Sequence, residues 1–211
     1  MRVPFISNTP DNIHCLPVSF MMIIRAFDPS FATPLSEWAG IVGFEEGKGT
    51  WANASLVWLK EHGYDVKHIT RFDYHAFSLN PEEYLLHAAG EEVGRWQIKH
   101  TNIPAEVERV KKLLEAETII QKRIPDQGDI RRYLDEGYLL RACVNLSRLN
   151  GKDGYIGHAV VITNYSEDGV YIHDPGLPPV ENRFVSWDDF EAVWADPNDD
   201  AKELDAVRLR A

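Results

Sequence analysis

The stretch NIHCLPVSFMMIIRAF, residues 12–27, places one cysteine at the edge of a long apolar run. Polar residues precede Cys15, and Pro17 is tolerated in a first helical turn because its missing N–H would have no partner there. We therefore predict a helix over residues 16–27 that ends at the DPS of 28–30. Cys15 then lies at a helix N-terminus, where unpaired N–H groups and the helix dipole favour a thiolate over a thiol.

The composition is that of a folded globular protein. The chain has 211 residues, of which 44% are hydrophobic and 26% are charged, so one domain with a substantial core is expected. The net charge of -11 argues against a nucleic acid or an anionic membrane as partner, because both would be repelled by an acidic surface. We expect a single domain over residues 1–211.

The compartment is predicted from two features of the chain. The N-terminus MRVPFISNTPDN lacks the apolar core of a secretory signal, and no run of about 18 apolar residues could span a bilayer. The two cysteines, Cys15 and Cys143, cannot form a disulfide framework. We expect a cytoplasmic protein in which these two cysteines are not bonded to each other.

The first two thirds of the chain are mainly helical in pattern. VPFIS at residues 3–7 resembles a short strand, and YDVKHI at 64–69 alternates as a strand does. Helices are predicted over residues 34–42 and 50–63. The polar block at about 71–126 carries further helical patterns, and we interpret it as a helical elaboration of the domain.

The last third has the pattern of a sheet. A helix over residues 126–137 precedes a buried strand, YLLRACVNL, at 138–146. Two further β-rich runs, joined by the turn SEDG, form the hairpin GHAVVITNYSEDGVYIHDPG at 157–176. A helix follows over residues 186–194. Helices followed by an antiparallel sheet indicate an α+β fold.

Three residues combine into a candidate catalytic site. His158 opens the first strand of the hairpin and Asp174 ends the second, so the turn between them brings these residues together. A cysteine at a helix N-terminus, a histidine and an orienting carboxylate are the parts of an activated thiol nucleophile. Each residue alone also has an ordinary structural explanation, as a core cysteine, an edge histidine or a turn aspartate.

The segments VPFISN…CLPVSFMMII, DIRRYLDEGYLLRACVNL, GHAVVITNY, VYIHDPG and SWDDFEAVW resemble, in order, those of papain-like cysteine peptidases of the bacteriocin-processing, double-glycine-leader type. This resemblance implies a papain-like fold in which an N-terminal helical part, carrying the nucleophile helix, packs on a C-terminal antiparallel sheet. It also implies Cys15 as nucleophile, His158 as general base and acid, and Asp174 as the orienting carboxylate, with a peptide or another amide as substrate and no cofactor.

The chain departs from the family pattern at two positions. Leu16 replaces the glycine that usually follows the nucleophile, and the usual oxyanion glutamine is best matched by Asn8. Asparagine can donate the same side-chain N–H with one methylene less reach, and Asn12 is the alternative donor. These departures leave three functions open: a cysteine-dependent hydrolase, a peptide-binding domain with weakened or absent chemistry, and a thiol acyltransferase.

Other candidate residues are less suited to these roles. Cys143 lies in the middle of a predicted strand, which favours burial. His14 stands beside Cys15, but no second pair of ligands has zinc-like spacing, so no metal site is expected. His173 precedes Asp174 and by strand alternation points to the opposite face.

Overall fold

A central β-sheet organises the computed structural model of the chain, which describes residues 2–115 and 119–210. The strands in these ranges are β1 (Tyr64–Thr70), β2 (Ile120–Lys122), β3 (Leu139–Asn145), β4 (Gly157–Tyr165), β5 (Gly169–Asp174), β6 (Val180–Ser186) and β7 (Glu203–Leu209). They are arranged in the order β2-β1-β7-β3-β4-β5-β6. All neighbours are antiparallel except β1 and β2, which are parallel.

Helices cover both faces of this sheet. They are α1 (Cys15–Phe27), α2 (Leu35–Ile41), α3 (Asn53–Glu61), α4 (Tyr74–Leu79), α5 (Pro81–Ala89), α6 (Glu91–Lys99), α7 (Ile103–Leu114), α8 (Gln127–Asp135), α9 (Leu146–Leu149) and α10 (Trp187–Trp194). A short 3-10 helix, Asp199–Ala201, precedes β7. Apolar residues of α1–α5 and α7 form one core with one face of the sheet, and those of α8 and α10 form a second core with the other face. The predicted α+β class is confirmed.

Helix α1 is buried along most of its length. Its residues from Leu16 to Ile24 are all buried, which fits a helix that is apolar on every side and packed between other elements. The Ser19 hydroxyl donates to the Ala159 carbonyl at 3.1 Å, and the Trp38 indole donates to the Pro17 carbonyl at 2.8 Å. These contacts fix the first turns of α1 against the start of β4 and against α2. The predicted helix is confirmed, and it begins at Cys15 itself.

Within residues 71–115 and 119–126, the block holds four helices, α4 to α7, and the short strand β2. Phe77, Leu85, Val110 and Leu113 are buried in the same apolar cluster as α1. The helices of this block therefore pack on the core around α1 instead of enclosing a core of their own.

The predicted strand at residues 3–7 is wrong. This segment has no ladder partner and is held by isolated contacts: the His173 side chain donates to the Val3 carbonyl at 3.1 Å, and the Asn8 N–H donates to the Pro175 carbonyl at 2.9 Å. It packs beside the end of β5 as an irregular segment. Its apolar pattern reflects that packing and not strand pairing.

The predicted hairpin is confirmed. Strands β4 and β5 pair antiparallel, with Val161 opposite His173, and the Ser166 N–H donates to the Gly169 carbonyl across the turn at 2.8 Å. Three strands, β2, β6 and β7, are additional to the sequence prediction. Strand β7 lies between β1 and β3, so it joins the N-terminal strand to the hairpin sheet.

Candidate active site

The thiol of Cys15 lies at the N-terminus of α1. The preceding residue, His14, makes no side-chain cap on this helix, because its Nδ1 faces the Thr9 hydroxyl at 2.8 Å. The backbone N–H groups of Ala159 and Leu16 lower the pKa of the Cys15 thiol. Cys15 is a free cysteine that is half-buried.

His158 and Asp174 meet across the hairpin. The Nε2 atom of His158 lies 2.8 Å from Oδ1 of Asp174, and both side chains are almost completely buried. Because the carboxylate occupies Nε2, Nδ1 is the ring nitrogen left for the Cys15 thiol, and the His158 imidazole lowers the pKa of that thiol. The structure thus brings together the three residues that the sequence singled out.

Opposed effects set the pKa values of the thiol and the imidazole. Burial opposes the thiolate of Cys15, but the hydrogen bond and the charge of His158 outweigh it and lower the pKa of the thiol. Burial also opposes the imidazolium, whereas the hydrogen bonds to Asp174 and Cys15 raise the pKa of His158 to about 9. Both shifts favour a thiolate–imidazolium pair over a neutral thiol and a neutral imidazole.

Two features that the sequence did not single out hold the Asp174 carboxylate. Gly176 donates its N–H to Oδ1 at 2.9 Å, and Arg183 donates to Oδ2 at 3.0 Å. A Cβ atom at position 176 would approach Asp174 Oδ1 to 2.9 Å and His158 Cε1 to 3.3 Å. Glycine is required there because the turn passes so close to the histidine ring.

Asn8 lies beside this site. It is buried, its backbone N–H donates to the carbonyl of Pro175, and its side-chain oxygen accepts the N–H of His14 at 2.9 Å. Its Nδ2 donates one hydrogen to Oδ1 of Asn12 at 2.9 Å. The amide carries a second hydrogen that can serve as an oxyanion donor, while the oxygen of Asn12 is occupied in orienting the Asn8 amide.

If the site cleaves amides with Asn8 as oxyanion donor, as the family resemblance implies, alanine at position 8 is expected to reduce that cleavage by about 100- to 1000-fold, the usual cost of one oxyanion donor. Alanine at position 12 should cost less, because it removes the partner of the donor and leaves the donor in place. Initial rates of the two variants, with circular dichroism to verify the fold, test this assignment. A larger loss in Asn12→Ala than in Asn8→Ala would transfer the oxyanion role to Asn12.

The remaining candidates differ from the triad in their surroundings. Burial raises the pKa of the Cys143 thiol to about 12, so this cysteine stays protonated at neutral pH. Both cysteines are free thiols. His173 faces the carbonyl of Val3 and the N–H of Asn182, and the ring of His14 stacks on Phe44 at 4.2 Å.

A second buried cluster lies between β1, β7 and β3. Within the described ranges, His68, Glu203 and Asp205 are the group of histidine and carboxylate ligands close enough together to hold a cation. The guanidinium of Arg141 already forms ion pairs with both carboxylates. The side chain of Arg141 thus supplies the positive charge that this donor set would otherwise take from an ion.

None of the helices in residues 2–115 and 119–210 has the length and apolarity needed to cross a bilayer.

Comparisons with known proteins show the fold. Neither a profile of a known family nor a curated protein sequence matches the chain. A solved structure of a Bacillus anthracis protein, described as a C39-like peptidase, is similar to the whole chain, with 13% identity, a TM-score of 0.54 and 96% of its own length covered. A double-glycine motif protease from an AMS/PCAT transporter, solved in complex with the leader peptide, matches 98% of this chain and 93% of its own at 13% identity and a TM-score of 0.46. The chain has the papain-like α+β fold of a C39-like peptidase.

Proposed function

We propose that this chain is a cysteine-dependent hydrolase that cleaves an amide bond of a peptide, with Cys15, His158 and Asp174 as its catalytic residues. One observation carries the proposal. Asp174 holds Nε2 of His158 at 2.8 Å, which turns the other ring nitrogen toward a thiol at a helix N-terminus. A buried cysteine with a packing role would not need an imidazole fixed in this orientation.

The reaction follows from the positions of these groups. The Cys15 thiolate attacks the carbonyl carbon, and the negative charge on the oxygen is stabilised by the Cys15 N–H and the Asn8 amide. The His158 imidazolium gives its proton to the leaving amine, and the C–N bond breaks to form a thioester. Water then loses a proton to the neutral imidazole and attacks the thioester, which releases the acid and restores the thiol.

Exposed apolar side chains that are close in the chain to Cys15, His158 and Asp174 favour a peptide as the substrate. Ile13, Tyr155, Ile156 and Leu177 are between 42% and 56% exposed, although each is large and apolar. Each lies within three positions of a catalytic residue in the chain. A peptide bound across Cys15 would cover part of this surface, and its burial would contribute to binding.

A peptide-binding domain with little chemistry is the second candidate. It is favoured by the engagement of the Asn8 amide with Asn12 and by Leu16, which fills the position next to the nucleophile and is buried. A domain of this kind would bind peptides without cleaving them.

A digest of a mixed synthetic peptide library distinguishes these functions. The wild-type chain is incubated with the library with and without added glycinamide, and the products are identified by mass spectrometry. A hydrolase yields free carboxylic acids in both conditions, whereas an acyltransferase yields mainly glycinamide adducts when the amine is present. Retention of intact peptides without any product would contradict the hydrolase and support the binding domain.

A further inference from the structure

The Asp174 carboxylate has a partner on each of its two oxygens. Oδ1 faces Nε2 of His158 and also accepts the N–H of Gly176, while Oδ2 accepts a hydrogen from Nη1 of Arg183 at 3.0 Å. Asp174 lies at the end of β5, and Arg183 projects from the neighbouring strand β6. The side chain of Asp174 is 1% exposed and that of Arg183 is 24% exposed. The contact is therefore a largely buried ion pair.

The guanidinium of Arg183 is itself fixed at a second place. Its Nη1 donates to Oδ1 of Asn150 at 2.9 Å, and its Nη2 donates to the carbonyl of Leu149. These two acceptors belong to the end of α9 and the residue after it. Arg183 therefore connects a helix end on the second core face with the carboxylate of the catalytic site.

We propose that Arg183 is a positioning residue that holds the Asp174 carboxylate with Oδ1 toward His158 and balances part of its negative charge. This inference rests on the proposed function, because it assigns Arg183 to the same site. Lacking Arg183, the carboxylate could rotate about its last bond and would present its full charge to the imidazole. Arg183 does not touch the reacting atoms and acts through Asp174.

The charged groups around the Asp174 carboxylate determine how the loss of Arg183 would change the pKa of His158. His158 faces Asp174 from β4, the Cys15 thiol faces His158 from α1, and Arg183 faces the carboxylate from β6. Arg148 and Asp189 line, together with Arg183, a surface groove beside β6. Removing the charge of Arg183 leaves the carboxylate attracting the imidazolium more strongly, so the pKa of His158 rises. A residue that only supports the fold would not move this value.

The test uses the full chain with 13C-labelled histidine. The Cε1 resonance of His158, identified by its absence in His158→Ala, is followed against pH in the wild type, in Arg183→Gln and in Arg183→Lys. Arg148→Gln is the matched control, since this arginine lies in the same groove and pairs with Asp196 instead of Asp174. Hydrolysis rates and thermal unfolding are measured on the same samples.

In Arg183→Gln, the titration midpoint of His158 is expected to rise by about one pH unit above the wild-type value. Hydrolysis should fall by about 10- to 100-fold because the imidazole is less well oriented. Arg183→Lys keeps the charge but loses the contacts that the two guanidinium nitrogens make. In this variant, the titration midpoint of His158 should stay near the wild-type value while the hydrolysis rate falls. Arg148→Gln should leave both unchanged.

An unchanged midpoint in folded Arg183→Gln would overturn the proposal. If that variant does not fold, Arg183→Met takes its place in the same titration: a raised midpoint of His158 would support the proposal, and an unchanged one would overturn it. The midpoint of His158 needs no substrate, so it reports on Arg183 even if no peptide is cleaved. Failure of the hydrolase proposal would appear separately, as wild-type protein that cleaves nothing.

Discussion

Serine in place of Cys15 is expected to reduce peptide hydrolysis by about 10⁴-fold or more, the order of loss seen when a catalytic nucleophile is removed. The serine hydroxyl has nearly the same shape but stays protonated at neutral pH, so it cannot form the ion pair that His158 stabilises in the wild type. Initial rates on a peptide that the wild type cleaves measure this loss. The fold should be retained, because the change exchanges one small polar atom for another.

Cys143→Ser is the matched control for this variant. Cys143 lies on β3 opposite Ala159, and burial keeps its thiol protonated. Its replacement should leave the hydrolysis rate within a few-fold of the wild type. If Cys143→Ser lost activity and Cys15→Ser kept it, the nucleophile would be Cys143 and not Cys15.

Alanine in place of Asp205 is expected to lower the free energy of unfolding by about 3–5 kcal/mol, the cost of leaving a buried charge without its partner. Asp205 is fully buried and pairs with Nδ1 of His68 at 2.5 Å and with the guanidinium of Arg141, which is itself 1% exposed. Its removal leaves Arg141 with Glu203 as its remaining carboxylate partner. Chemical denaturation followed by tryptophan fluorescence measures the change.

Asp200→Ala provides the comparison for a surface pair. Asp200 lies 3.7 Å from Arg71, and both side chains are more than half exposed. Its replacement should change the free energy of unfolding by less than about 1 kcal/mol. Equal effects of the two substitutions would show that the buried cluster of His68, Asp205 and Arg141 does not stabilise the fold as its burial indicates.

The stability that the cluster of His68, Asp205 and Arg141 contributes should decrease as the pH falls. Burial alone would raise the pKa of Asp205, but the charges of Arg141 and His68 and their hydrogen bonds lower it below its usual range. A carboxyl whose pKa is depressed in the folded chain stabilises the fold above the pKa that it has in the unfolded chain. This contribution is lost as the pH falls through the folded value, so the cluster should favour acid unfolding.

The three residues of the candidate site could be brought together from the sequence because their signals are local. A cysteine before an apolar helix and a short turn between two β-rich runs place three side chains with little dependence on the rest of the fold. The same reasoning failed at residues 3–7. There, the apolar residues pack on the end of β5 without forming a strand. The sequence pattern of a paired strand and that of an irregular packed segment are the same over so few residues.

Arg183 and the buried ionic cluster could not be predicted from the sequence. Strand β6 is largely polar, and β7 contains a fully buried aspartate, so neither has the apolar alternation that indicates a half-buried strand. Both contacts depend on tertiary packing, since β7 lies between two strands that are distant in the chain. The role of Arg183 becomes visible when β6 is placed beside Asp174.

The rate at which iodoacetamide modifies Cys15, measured against pH by peptide mass in wild type and in His158→Ala, tests the central claim most directly. A thiol with the ordinary pKa of about 8.5 has less than about 1% thiolate at pH 6. The thiolate–imidazolium pair predicts rapid modification of the wild type at pH 6 and a rate about 100-fold lower in His158→Ala. A Cys15 that reacts only above pH 8, or at the same rate in both proteins, would contradict its assignment as the nucleophile.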